Sequence, residues 1–256
     1  MNERSLEFLV YMMKIFIFWI LIFFSAQSFS DEVTMAFGNA IPPFSFPESD
    51  TGIELEIISE ALAFHQHTLT PVYYPLARVP IAFAQKKTMA AMTDLGEDME
   101  KIGAFYGDSA VIYNNVFITL KERKLHIKKP EDLKDLSVIS FQGAIKRYPL
   151  WLEPVKKAKK YHEQHNQLIQ VLILNKSRLD VVLSDISIFK YYSILAEKEY
   201  GKLLKEFQFH HFVEPNPNDY RPVFWRESIR DDFNDGIKHL KKTGRYQAIY
   251  DKYLQN

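Results

Sequence analysis

The chain of 256 residues carries 32 basic and 32 acidic side chains, so its formal net charge is zero and no basic field exists to hold a nucleic acid. It has no cysteine, which removes disulfides, thiolate catalysis, cysteine metal sites and a lipidated N-terminal cysteine. With 47% hydrophobic and 25% charged residues it has ample core for one or two soluble domains, and its 14% aromatic content suits stacking on a ligand as well as packing.

Lys14 precedes the apolar run Ile15–Phe24, and the small polar stretch Ser25–Ser30 follows. A positive flank, a short apolar core and small residues form a secretory signal. Ser28 and Ser30 occupy the cleavage positions, and Asp31 is the expected first mature residue. Met12 or Met13 can serve as the start, since residues 1–11 add nothing a signal requires. The competing reading is an uncleaved anchor over Phe8–Phe24, interrupted by Lys14.

Val33–Phe37 reads as a strand. It runs into a loop with Pro42, Pro43 and three apolar residues expected to be exposed, Ile41, Phe44 and Phe46. Gly52 then opens a helix with Ile53, Ile57, Ile58, Ala61 and Leu62 on one face. Such a strand–loop–helix can receive a small ligand on free helix N–H groups beside rings held by proline. The plainer reading is an ordinary entry into an α/β domain.

Leu69–Tyr74 reads as the next strand, and Tyr74–Pro80 as a turn opening a short helix to Gln85. Met89–Met92 is a short strand ending in Thr93-Asp94. Further on come a helix near Leu168–Leu174, the turn Asn175–Arg178 and the strand Leu179–Leu183 ending in Ser184-Asp185. Helix, basic turn, apolar strand and terminal Asp thus recur roughly ninety residues apart, as in two similarly built halves. Between them, Val116–Leu120 is a strand, Lys121–Lys129 a charged crossover, Pro130–Leu133 a helical turn and Leu136–Phe141 a strand ending at Gln142-Gly143. The polar segment Lys156–Gln167 reads as a solvated helix face. Phe207–Val213 and Val223–Trp225 are strands around a loop with Pro215 and Pro217. The chain ends in helices carrying Ile229, Phe233, Ile237 and Leu240, then Tyr246, Ile249, Tyr250, Tyr253 and Leu254, broken at Gly244.

No glycine-rich phosphate loop, dinucleotide loop or nucleophile elbow is present. His65/His67, His162/His165 and His210/His211 lack the spacing that brings imidazoles to one metal, so no metal or cofactor is expected. Acid pairs such as Glu54/Glu56 and Asp231/Asp232 read as solvated faces.

Four stretches, in order, carry a resemblance. Pro42-Pro43-Phe44-Ser45-Phe46 with Gly52-Ile53-Glu54-Leu55-Glu56-Ile57 is similar to a PPF-x-F…GFDxDL opening. Lys129–Leu136 with Val138–Gly143 is similar to an "eDLkgkkvgvqxG" entry. Arg178–Asp185 is similar to "grvDavvaD", and Lys241–Tyr253 to a terminal "lkxdGtyxkIyxkw". Together they resemble the family 3 extracytoplasmic solute-binding proteins, receptors of polar amino acid ABC transporters.

The resemblance implies an α/β, type II periplasmic-binding-protein fold of two lobes joined by two crossover strands. Lobe one would comprise residues 31–120 and 222–256, and lobe two residues 121–221. Ligand would sit in the cleft, and closure would follow a hinge. It also implies contacts. The family's carboxylate-clamping Arg position falls on Asp98 in the turn Thr93-Asp94-Leu95-Gly96-Glu97-Asp98. The hydroxyl that follows the second-lobe glycine, Gly143, is replaced by Ile145. The stacking aromatic before Pro42-Pro43-Phe44 is replaced by Ile41. Asp185 keeps the acid that takes the ligand's amino group. Losing a bidentate guanidinium removes charge-assisted hydrogen bonds, so an ordinary α-amino acid is not the expected ligand. Arg78, or Lys146 and Arg147 after Gly143, are the cations that could meet an anionic end.

The function so implied is that of a periplasmic, monomeric receptor without catalysis, passing a small polar solute to a membrane permease or sensor. The alternatives are a cleft enzyme of the same fold, such as a dehydratase or lyase, and an orphan sensory domain still tethered by its N-terminal segment.

Overall fold

The computed structural model describes residues 30–39, 41–201, 205–216 and 218–254, together with Met12. The expected export signal therefore lies, apart from Met12 and Ser30, outside the described residues. Among the described residues no helix is long and apolar enough to cross a membrane.

Two five-stranded sheets organise the chain. β1 (Glu32–Gly38), β2 (Thr68–Tyr74), β3 (Ala90–Ala91), β4 (Phe105–Tyr106) and, from far along the chain, β10 (Val223–Phe224) form the first, in the order β2-β1-β3-β10-β4. β5 (Asn115–Leu120), β6 (Val138–Ser140), β7 (Tyr161–Glu163), β8 (Val181–Asp185) and β9 (Phe207–His210) form the second, in the order β7-β6-β8-β5-β9. The pairing is the same in both. β1 lies parallel between β2 and β3, as β6 lies parallel between β7 and β8. β10 is antiparallel to β3 and β4, as β5 is to β8 and β9. The repeat legible in the sequence corresponds to β3 and β8, which hold the same place in their sheets.

The first sheet takes an inner strand, β10, from beyond both crossings. The chain leaves the first sheet after β4, crosses over residues 107–114, builds the second sheet, and returns over residues 211–222 to insert β10. Val116–Leu120, expected to close the first lobe, instead sits between β8 and β9 of the second sheet, where all six residues of β5 are buried. A strand flanked on both sides and covered on both faces reads as a continuous apolar run whichever sheet it joins, so composition could not assign it.

The helices cover the sheets. α1 (Ile53–Ala63), α2 (Val79–Ala84), α7 (Glu227–Thr243) and α8 (Arg245–Leu254) pack with the first sheet. α3 (Ala144–Arg147), α4 (Pro149–Lys157), α5 (Gln167–Asn175) and α6 (Ile186–Tyr200) accompany the second. α7 buries Ile229, Phe233, Ile237 and Leu240 on one stripe. Gly236 on that stripe lets α7 press against α1, since a Cβ there would lie 2.0 Å from the Ala61 carbonyl oxygen. α6 straddles the two cores. Its Ile188 packs in the first, and its Phe189 and Ala196 in the second.

Two readings of the polar middle are corrected. Lys156–Gln167 is not one helix face: α4 stops at Lys157, Lys159 turns with positive φ, and Tyr161–Glu163 becomes β7 at the sheet edge. Polar side chains on a three-residue edge strand keep it from pairing further, and they also hide its strand character. The strand expected over Phe207–Val213 ends at His210.

Candidate ligand site at the lobe junction

The loop after β1 folds back on itself instead of presenting its rings. Ile41 N–H donates to Ser45 O at 3.1 Å, and Phe44 N–H to Ile41 O at 2.7 Å. Phe44 is wholly buried in the first core, not exposed as its loop position suggested. Ile41 packs against the same core, and Phe46 is half-buried with its ring on Tyr253 and on Tyr191 of α6. The start of α1 is not free either. Pro43 O accepts from Ile53 N at 2.9 Å, and Phe44 O accepts from Glu54 N at 3.1 Å. The helix end is thus satisfied by its own loop, and the expected free N–H groups are spent. Gly52, at φ 131°, makes this possible.

Aromatic rings join the two crossings. Tyr113, on the first, packs on Phe44 with centroids 4.6 Å apart and on Tyr220 of the second at 4.9 Å. Arg147, at the end of α3, lies over Tyr220 at 4.5 Å and donates to Tyr220 Oη, to Asp219 Oδ2 and, at 3.1 Å, to Tyr148 Oη. Asn115 Nδ2 donates to Tyr148 Oη at 3.0 Å. These groups surround a cavity of about 150 Å³ lined by Tyr113, Asn115, Arg147, Tyr148, Glu214 and Asp219 among others. A larger hollow of about 520 Å³ lies at the outer edge of the first sheet beside Tyr106, Arg221 and Arg230. It is more open, and no residue singled out in the sequence lines it. The smaller cavity is the candidate site because both crossings and Arg147 converge on it, with Phe44 of the loop after β1 packed behind Tyr113.

Two buried acids flank Tyr113. Asp185 is 3% exposed. Its Oδ1 accepts the Ser187 and Ile188 N–H groups at 2.8 and 3.0 Å, capping α6, while Oδ2 accepts Asn114 N–H at 2.7 Å. Burial pushes this carboxyl up to about 6, against those three bonds. The acid expected to hold a ligand's amino group is thus engaged by three backbone donors. Glu54 is wholly buried, contrary to the solvated face expected of Glu54/Glu56. Its Oε2 accepts the Tyr113 hydroxyl at 3.3 Å, while Oε1 is buried without a partner among the described residues. Burial pushes it up to about 8. Glu56 is the outward acid, accepting from Lys252 at 2.7 Å and from Tyr253. Nothing in the local sequence distinguishes the two; Phe44 and Tyr113, from outside the helix, cover only the first.

The other expected residues do not line the junction cavity. Thr93 is buried, its hydroxyl accepting from Leu95 N. Asp94 accepts from Gly96 N at 3.0 Å and from Tyr106 Oη at 2.8 Å. Asp98 is an exposed partner of Lys101 at 3.3 Å, and Arg78 is exposed. Gly143 N–H donates to Glu163 Oε2 at 3.0 Å, so the chain's own carboxylate holds the place suggested for an anion. Burial works against that carboxylate, but bonds from Gly143, Tyr161 and Ile145 hold it below the usual range. The Ile145 side chain packs on the second core, and Lys146 is exposed. Tyr113, Tyr148, Tyr220 and Asp219 were not singled out in the sequence. Their one signal was the tyrosine content, which does not say which of 14 meet.

No protein-family model matches the chain, and no curated protein matches its sequence. Solved structures do match. The second substrate-binding domain of GlnP from Lactococcus lactis, in its open conformation, aligns over 89% of this chain and 97% of its own, with a TM-score of 0.63 and 18% identity. This is the two-lobed, type II periplasmic-binding-protein fold. An ancestral cationic amino acid solute-binding protein matches over 88% of this chain and 96% of its own, with a TM-score of 0.65 and 20% identity. The probable amino-acid ABC transporter extracellular-binding protein YtmK from Bacillus subtilis matches over 89% and 100%, at 0.61 and 16%. The two crossing segments here carry Tyr113, Asp219 and Tyr220, and Asn115 begins β5 directly after the first.

Proposed function

We propose that the chain is an exported receptor that takes a small polar solute between its lobes and closes about the two crossings, for an ABC permease or a sensor. The observation that carries this is the meeting of both crossings with Arg147 around one polar cavity, in a fold whose matched structures include a substrate-binding domain of GlnP and a probable amino-acid ABC transporter extracellular-binding protein. The apolar run Ile15–Phe24 and the small residues before Asp31 read as an export signal, which supports export.

The solute is not an ordinary α-amino acid. The clamp position is Asp98, and the Gly143 N–H is already taken by Glu163. Arg147 is matched by Asp219, so a carboxylate would have to displace an ion pair as well as shed its own water. Asn115, Tyr148, Glu214 and Asp219 offer mixed donors and acceptors, which suits a polar solute of low net charge. Native mass spectrometry of the purified chain, followed by a thermal-shift panel, tests this. A retained low-charge solute that raises the melting temperature supports it. Tight binding of glutamate or aspartate would overturn the ligand reading.

A further inference from the structure

We propose that Glu54 is a proton-operated latch on the hinge: protonated, it seats the first crossing against the first lobe, and deprotonated, its demand for water outweighs the one bond from Tyr113 and opens that contact. The link from this latch to solute affinity rests on the receptor reading; the latch itself does not.

The geometry carries the proposal. Glu54 sits in the first turn of α1, wholly buried, with one oxygen on the Tyr113 hydroxyl and the other without a donor among the described residues. Tyr113 is its contact with the crossing, and the Tyr113 ring lies against Phe44 of the first lobe and Tyr220 of the other crossing. Displacing that one ring therefore disturbs both connections between the lobes. α8 supports the same segment, with Tyr246 Oη donating to Ala110 O at 2.9 Å.

Among the described residues, the groups facing Glu54 supply no positive charge. Tyr113 faces it from the first crossing, and Tyr246 and Tyr250 face it from α8. Asp185, at the start of α6, lies beyond Tyr113 and Tyr250 and adds a second acid. On α1 itself, Glu56 is matched by Lys252. A carboxylate at Glu54 would have one hydroxyl donor and no cation, out of water, which is an unfavourable state unless the covering ring moves. Burial accordingly pushes the group up to about 8, so that at neutral pH it keeps its proton.

The absence of native cysteine makes the test clean. Cysteines placed at exposed Lys101 and Lys157 carry nitroxide labels, and the interlobe distance in the solute-free full chain is followed from pH 6 to 9.5. The wild type should change its distance distribution as Glu54 loses its proton with rising pH, and Glu54→Gln should keep the low-pH distribution throughout. Tyr113→Phe should move the ionisation of Glu54 upward, because the hydroxyl bond favours the carboxylate. Carbon-13 NMR of the Glu54 carboxyl gives the ionisation directly. A wild-type distance that stays constant while this carboxyl titrates, or a Glu54→Gln profile that tracks the wild type, would overturn the latch. A distance transition as described, with no solute bound at any pH, would support the latch and count against the receptor reading alone.

Discussion

A Cβ on Gly52 would lie 2.3 Å from the carbonyl oxygen of Phe44. That same oxygen accepts the N–H of Glu54, and the Gly52 N–H donates to Tyr253 Oη at 2.9 Å. Gly52 is therefore the point at which the loop after β1, the start of α1 and the C-terminal helix are fixed together. Gly52→Ala meets both a backbone clash and a positive φ, and should cost about 2–4 kcal/mol. Urea unfolding followed by circular dichroism measures it; a loss under about 0.5 kcal/mol would show that the loop can move aside.

Asp185 ties α6 to the first crossing. Asp185→Ala removes the cap and the Asn114 bond together and should cost about 1–3 kcal/mol, whereas Asp185→Asn keeps an acceptor and should lose less. Thermal or urea unfolding of the pair checks the order. If Ala and Asn are equally stable, the carboxyl is not acting as an acceptor of backbone N–H groups.

Glu54 sets a pH dependence of stability. The folded protein binds its proton more tightly than the unfolded chain, since the pKa rises from 4.5 to about 8. Its contribution is complete below pH 4.5 and is lost as pH rises through about 8. The total is on the order of several kcal/mol. Glu54→Gln should flatten the stability profile between pH 5 and 9 relative to the wild type, measured by urea midpoints. Parallel profiles would contradict a buried, protonated Glu54.

The sequence disclosed some of this and hid the rest for physical reasons. The paired helix–turn–strand–Asp units were visible because short buried strands and terminal acids are local features, and β3 and β8 do hold equivalent places. The sheet that β5 joins was not visible, because a fully buried strand has no polar face to mark its side. Phe44 looked exposed because proline-rich loops usually are; burial came from Tyr113, distant in sequence. Asp185 was found as an acid at a strand end, but its partners Asn114, Ser187 and Ile188 are backbone groups that no side-chain motif reveals.

Arg147 should matter more for binding than for folding. Arg147→Met keeps much of the stacking volume over Tyr220 but leaves Asp219 without its guanidinium. We expect a tenfold or greater loss of solute affinity, about 1.4 kcal/mol or more, with under about 1 kcal/mol lost in stability because the pair is half-exposed. Calorimetry beside urea unfolding separates the two. Equal losses in both would make Arg147 a structural residue.

Solute binding is expected to close the two lobes about the crossings at 107–114 and 211–222. The most direct measurement is the nitroxide distance between Lys101 and Lys157 positions at pH 7, with and without the solute identified by native mass spectrometry. The account predicts a shorter, narrower distance distribution on saturation, reversed when the solute is dialysed away. Saturating solute that leaves the distribution unchanged would contradict it.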